Sequence, residues 1–235
     1  MAAMIRALLA VALVTGFAAA PARASEETRL RDAAERGDLD AQYALGMLYM
    51  QGTEVRRDLN EARRWWRRAA EQGHAGSQYN MGVIYARGDT GRKNMEEAVK
   101  WFRLAAAQGN SDAQYSLGMA YATGEGAPKS MPEALEWWRK AAAQGHGEAA
   151  LNLGIAYTRG DGTGRDRARA LDWYRKAAAN GNPQAQFNLG VVYAKGDGVP
   201  PDRDESRKWL GMAAKQGYAP AARLLKELDS KAPQQ

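Results

Sequence analysis

AQYALGMLYMQG (41–52), TEVRR (53–57) and DLNEARRWWRRAAEQG (58–73) form one stretch whose pattern the chain repeats five times. Gly46, Gly82, Gly118, Gly154 and Gly190 stand 36 residues apart with no insertion or deletion. Trp65, Trp101, Trp137, Trp173 and Trp209 keep that period, as do Gly73, Gly109, Gly145, Gly181 and Gly217. A strict period of this length marks a solenoid of stacked supersecondary units, each too small to bury its own apolar face.

Within the first unit Ala41, Leu45 and Tyr49, with Gly46 beside them, share one face at helical spacing. A glycine there costs about 1 kcal/mol against alanine in an exposed helix. Its return in every unit predicts that another helix packs too closely for a Cβ. Gly52, Gly88, Gly124, Gly160 and Gly196 end this helix, because glycine accepts the left-handed conformation at a C-terminus. The second helix opens on capping boxes: Asp58 with Glu61, Asn94 with Glu97, Ser130 with Glu133, Asp202 with Glu205, while Asp166 caps without its Glu. Ala62, Trp65 and Ala69 share a face of this helix, flanked by Trp66 and Ala70. The fold expected is all-α, an antiparallel helix pair repeated five times.

The pattern A-x-x-x-L-G-x-x-Y-x-x-G followed by D-x-x-E-A-x-x-W-W/Y/F-R-x-A-A-x-x-G resembles the Sel1-like repeat family, relatives of tetratricopeptide repeats. The resemblance covers 41–220 and implies a right-handed α/α solenoid with units 41–76, 77–112, 113–148, 149–184 and 185–220. It also implies adaptors and regulators that bind other proteins, with no catalytic residue in the repeat. In the last unit Ser206 stands for the usual Ala and Leu210 for the second aromatic.

Residues 26–37 match the end of a second helix with Arg29 at the tryptophan position, which gives an N-terminal capping helix over 25–40. Residues 221–235 begin a sixth first helix with Lys226 at the glycine position, a C-terminal cap fraying from Asp229. The first 24 residues differ in kind. Arg6 precedes an apolar run, Ala7 to Ala20, too short to span a bilayer, and Ala22-Arg23-Ala24 is an A-x-A cleavage site. A signal peptide cleaved after Ala24 predicts a periplasmic or secreted product that starts at Ser25 and has no stable membrane insertion.

Removing Arg6 and Arg23 leaves 31 basic against 27 acidic residues, so the net charge falls from +6 to +4. The one dense basic cluster, Arg63, Arg64, Arg67 and Arg68, reads as a solvated helix face, and no nucleic-acid partner is expected. The chain has no cysteine. Its two histidines, His74 and His146, each follow an inter-unit glycine and read as exposed turn residues, two units apart and without further ligands for a metal. The triplets 160–162 and 196–198 (GDG) lack the oxygen ligands of a calcium loop and read as turns. Because some relatives have been associated with β-lactams, the serine motif S-x-x-K matters. No serine here has a lysine three positions on. Neither cofactor, metal nor catalytic residue is expected.

The resemblance also places a concave groove along the first helices. The positions one turn from the Leu-Gly-Tyr face are Tyr43, Tyr79, Tyr115, Leu151 and Phe187, then Met47, Val83, Met119, Ile155 and Val191, with Gln51, Arg87, Thr123, Arg159 and Lys195 near the helix ends. They suit an apolar, aromatic groove with a basic rim that takes an apolar protein segment. They equally suit packing against the next unit. The expected function is an exported, non-enzymatic scaffold, adaptor or regulator whose partner is another protein: a periplasmic protein, a membrane-protein ectodomain or a host factor. The alternative is an enzyme acting on cell-wall material or β-lactams.

Overall fold

The computed structural model describes residues 26–230; the leader expected over 1–24 and the tail 231–235 lie outside them. Among the described residues there are helices and no strands: α1 (Glu26–Glu35), α2 (Leu39–Gln51), α3 (Leu59–Glu71), α4 (Ala75–Arg87), α5 (Met95–Ala107), α6 (Ser111–Thr123), α7 (Met131–Ala143), α8 (Gly147–Arg159), α9 (Arg167–Ala179), α10 (Pro183–Lys195), α11 (Arg203–Lys215) and α12 (Ala219–Ser230). Each helix packs on its neighbours in sequence, most extensively in the pairs α2/α3, α4/α5, α6/α7, α8/α9 and α10/α11. The architecture is an α/α solenoid of five helix-turn-helix repeats.

Even-numbered helices α2 to α10 are the first helices of the units. Their leucines and methionine at one position (Leu45, Met81, Leu117, Leu153, Leu189) are fully buried, and each such burial contributes about 1.5–3 kcal/mol. Facing them, Ala69, Ala105, Ala141, Ala177 and Ala213 are also fully buried and let the helices approach. The helical glycine meets first the second aromatic of its own unit. A Cβ built on Gly46, Gly82, Gly118 or Gly154 would stand 2.4–2.5 Å from the ring of Trp66, Phe102, Trp138 or Tyr174. At Gly190 the intruder is the Leu210 side chain, 2.5 Å away, so the substitution at 210 keeps the same requirement. Ser206 adds a hydroxyl that donates to the Gly190 carbonyl at 2.8 Å.

The strictly periodic tryptophan is the less buried of the aromatic pair from the second unit on. Trp137 and Trp173 lie under the ammonium groups of Lys140 and Lys176, 4.1 and 4.2 Å from the ring centroids.

The helix ends depart from the sequence reading in two ways. Asp58, Asn94, Asp166 and Asp202 accept from backbone N–H groups of the second helices, whereas Ser130 makes no side-chain cap bond. No Glu reaches back to complete a capping box, because the N-cap N–H is already taken. It donates to the carbonyl of Tyr49, Tyr85, Tyr121, Tyr157 or Tyr193 in the preceding helix at 2.8–3.0 Å. The glutamates turn outward instead, Glu97 to Lys100 and Glu205 to Lys208.

His74 and His146 are not exposed turn residues. Each N-caps a first helix, its Nδ1 accepting from Ser77 or Ala149, at the position held by Asn110 and Asn182 in other units. Accepting at Nδ1 leaves the proton on Nε2, which lies 3.3 Å from Asp40 in one case and 3.4 Å from Asp112 in the other. His146→Ala should cost about 1 kcal/mol of stability in chemical denaturation, whereas His146→Asn keeps the cap and should recover most of that loss.

At the N-terminus the capping helix is shorter than 25–40. It stops at Glu35, Gly37 turns the chain with φ +96°, and Asp38 caps α2, so Leu39 and Asp40 already belong to the first repeat. The last helix runs to Ser230, and Asp229 accepts from Arg207 Nε at 3.1 Å.

Candidate functional site

Two periodic ladders join the units and leave the first-helix face free of that task. Gln42, Gln78, Gln114 and Gln186 are buried, and each Nε2 donates to a carbonyl of the preceding helix (Ala34, Ala70, Ala106 or Ala178). The carboxamide oxygens of Gln78, Gln114 and Gln186 accept from Gln108, Gln144 and Gln216 at 2.7–2.8 Å. The second ladder bonds an arginine of each second helix, or of the capping helix, to the tyrosine hydroxyl of the next first helix: Arg31 to Tyr49, Arg67 to Tyr85, Arg103 to Tyr121, Arg139 to Tyr157 and Arg175 to Tyr193. At Tyr49 the hydroxyl also donates to Glu27 at 2.7 Å.

These contacts refine the reading of the basic cluster, in which Arg64, Arg67 and Arg68 are exposed as a solvated face requires. Arg67 is a rung of the ladder, Arg63 bonds Thr90 of the next unit at 3.0 Å, Arg68 covers the Trp65 ring, and only Arg64 pairs with the local Glu61. Arg63, Arg67 and Arg68 thus make specific contacts as well as meeting solvent.

The first-helix face carries three apolar depressions in a row. The first, about 370 Å³, lies between α4 and α6 and is lined by Tyr79, Val83, Arg87, Phe102, Tyr115 and Met119 with smaller neighbours. The second, about 290 Å³, is bounded by Met119, Met131, Trp138, Asn152, Ile155 and Arg159. The third, about 260 Å³, has Leu171, Tyr174, Phe187, Asn188, Val191 and Lys195 in its wall. Of the fifteen first-helix positions picked from sequence, Tyr43, Met47, Gln51 and Leu151 lie outside all three depressions; the Tyr43 ring packs on His74 at 4.9 Å.

Burial is intermediate, as neither of the two sequence readings required. Tyr43, Tyr79, Tyr115 and Phe187 are half-buried, as are Met47, Val83, Met119, Ile155 and Val191. Tyr43, Tyr115 and Phe187 pack on the residue just before the next first helix, Tyr115 stacking on His146 at 4.6 Å and Phe187 meeting Tyr218 at 5.4 Å, whereas Tyr79 tilts against Phe102 of its own unit at 5.9 Å. Leu151 is the exception, only 6% exposed and part of the core. Gln51, Arg87, Thr123, Arg159 and Lys195 are exposed along the rim. Arg87, Arg159 and Lys195 have no carboxylate partner among the described residues. The acids beside them are engaged elsewhere in two depressions, Glu125 by Lys93 at 3.0 Å and Asp197 by Arg167 at 2.5 Å. Burial pushes the Tyr79, Tyr115 and Tyr174 phenols up, so their hydroxyls are neutral at neutral pH.

Apolar floors, aromatic walls and unpaired cations can hold a polypeptide segment. Among the described residues no group of three or more His, Asp and Glu is arranged to hold a metal, and no helix is long and apolar enough to cross a membrane.

The Sel1 repeat family model matches residues 39–74, 75–110, 111–146, 147–182 and 183–218. Among solved structures, the chain is similar to a protective antigen of uropathogenic Escherichia coli displaying an SLR fold, with TM-score 0.81 and 40% identity over 83% of this chain. That match spans 42% of the antigen's length. It is also similar to a Sel1 repeat protein from Oxalobacter formigenes (TM-score 0.75, 33% identity, 85% of this chain and 86% of that one). The immunity protein PA5088 of Pseudomonas aeruginosa shares the fold at TM-score 0.54 and 22% identity, over 84% and 73% of the two chains. No curated protein matches.

Proposed function

The chain belongs to the Sel1 repeat family, and on that premise we propose that it is an exported, non-enzymatic scaffold, adaptor or regulator that binds a segment of another protein along its first-helix face. Sel1 repeats generally mediate protein–protein contact. The observation that carries the reading is the row of three apolar depressions, with Arg87, Arg159 and Lys195 unpaired at their mouths, on the face that neither ladder uses. Export rests on the leader-like sequence of residues 1–24. The partner meets the protein outside the cytoplasm: a periplasmic protein, the ectodomain of a membrane protein or a host factor.

Photo-crosslinking from position 83 in intact cells, followed by mass spectrometry, should recover a discrete protein that crosslinking from Arg64 on the second-helix face does not. Equal recovery from both faces would remove the docking surface from the account. N-terminal sequencing of the fractionated protein should begin at Ser25; a chain confined to the cytosol would overturn the export reading, and turnover of nitrocefin or muropeptides would overturn the non-enzymatic one.

A further inference from the structure

The third depression differs from the others in one polar group. The first helices carry a short polar side chain at Asn80, Ser116, Asn152 and Asn188. In three of the four this group is engaged by the preceding unit. Asn80 donates to Met47 Sδ, Asn152 to Met119 Sδ at 3.4 Å, and Ser116 and Asn152 approach the hydroxyls of Tyr79 and Tyr115. At the places that would serve Asn188 the chain has Leu151 instead of tyrosine and Ile155 instead of methionine. The Asn188 carboxamide accordingly has no hydrogen-bond partner among the described residues, although it lines an apolar depression.

Two turns further along α10 stands Lys195 on the same depression, also unpaired, while the nearby Asp197 is neutralised by Arg167. We infer that the depression between α8 and α10 selects an extended peptide segment of the partner, Asn188 bonding the backbone N–H and C=O of one residue and Lys195 pairing with an acidic side chain.

A carboxamide offers one donor and one acceptor side by side, the complement of the N–H and C=O that one residue of an extended chain points to the same side. In a helix those two groups point in opposite directions along the axis, which makes the bound segment extended. Seven residues of helix separate Asn188 and Lys195 by about 10 Å, the length of roughly three extended residues. The acid therefore lies about three residues from the contacted residue, with an apolar side chain between them over Val191 and Tyr174.

This rests on reading the first-helix face as the docking surface, and the test separates the two. A phage-displayed library of random heptapeptides panned on the whole protein should enrich an apolar residue followed or preceded by Asp or Glu, and Lys195→Glu should switch that preference to Lys or Arg. For a synthetic peptide from the selection, Asn188→Ala should weaken binding about tenfold. Leu151→Tyr, which restores the ring found in other units, should occupy the amide and weaken binding similarly with helicity unchanged. Binding indifferent to Asn188 and Lys195 but lost in Tyr115→Ala would overturn this inference and leave the docking surface standing. Binding indifferent to all three would overturn both, and a library that enriches nothing overturns the inference here.

Discussion

Gly118→Leu should destabilise the protein by about 3 kcal/mol, read from chemical denaturation followed by circular dichroism. Gly118 sits mid-stack on α6, and a Cβ there meets Trp138 Cδ1 and Nε1 at 2.5 Å and the Ala134 carbonyl at 3.2 Å. The indole is only 5% exposed, so a leucine must push α7 away or drive the ring toward the depression it borders. Gly211→Leu is the matched control. Gly211 is also helical, in α11, and nothing stands within 4 Å of its ideal Cβ. There the gain in helix propensity acts alone, and the same substitution should stabilise by about 0.5 kcal/mol. Opposite signs at two helical glycines separate close packing from backbone propensity. Adding Trp138→Ala to Gly118→Leu should cost less than the two single changes together, because the alanine vacates the space the leucine needs. Two equal midpoints for Gly118→Leu and wild type would mean that the ring is free to move.

That glycine also shows how far the sequence could be read. The 36-residue recurrence of a costly residue announces that something lies against it. It does not say what, since the second aromatic varies among Trp66, Phe102, Trp138, Tyr174 and Leu210 while the neighbouring tryptophan never changes. Trp65 and its equivalents are invariant, yet from the second unit on these lie partly exposed, and Trp137, Trp173 and Trp209 lie under lysine ammonium groups. Partial exposure tolerates little change when one ring face must match a cation, whereas a buried site tolerates any side chain of suitable bulk.

The ladders were legible as columns and were missed for a physical reason. Arg67 and Tyr85 are 18 residues apart and Gln78 and Gln108 are 30 apart, so no helical periodicity relates them. Each joins adjacent units through a stacking geometry that only the three-dimensional structure supplies. Read singly, an arginine on a second helix belongs to solvent and a histidine after a glycine belongs to a turn. His146 is instead held between the α8 N-terminus and the Tyr115 ring. The first-helix face was easier to anticipate, because its offset from the Leu-Gly-Tyr face follows from helix geometry alone. Half-burial of its aromatics depends on the gap between successive first helices, which spacing in sequence does not encode.

Half-burial sets the terms of the largest functional prediction. Tyr115→Ala should lower partner affinity by about 2 kcal/mol, close to thirtyfold, because aromatic anchors in a groove commonly carry that much when truncated. The ring lines the widest of the three depressions and gives its other face to His146, so stability should fall as well, by about 1–2 kcal/mol. Both effects are expected together, and their sizes distinguish two roles. A ring that served only as core would behave like Trp138, whose replacement by alanine should cost about 3–5 kcal/mol through the cavity left behind, with binding lost only as the protein unfolds. Measuring the denaturation midpoint and the affinity for the crosslinked partner on one Tyr115→Ala sample, well below its midpoint, keeps the two apart. Affinity equal to wild type in that folded sample would take the first-helix face out of the account. The second-helix face would not then inherit the role easily, since Arg63, Arg67 and Arg68 are already committed to Thr90, Tyr85 and Trp65. A partner that recruited Arg63 or Arg67 would have to break contacts that join the first unit to the second.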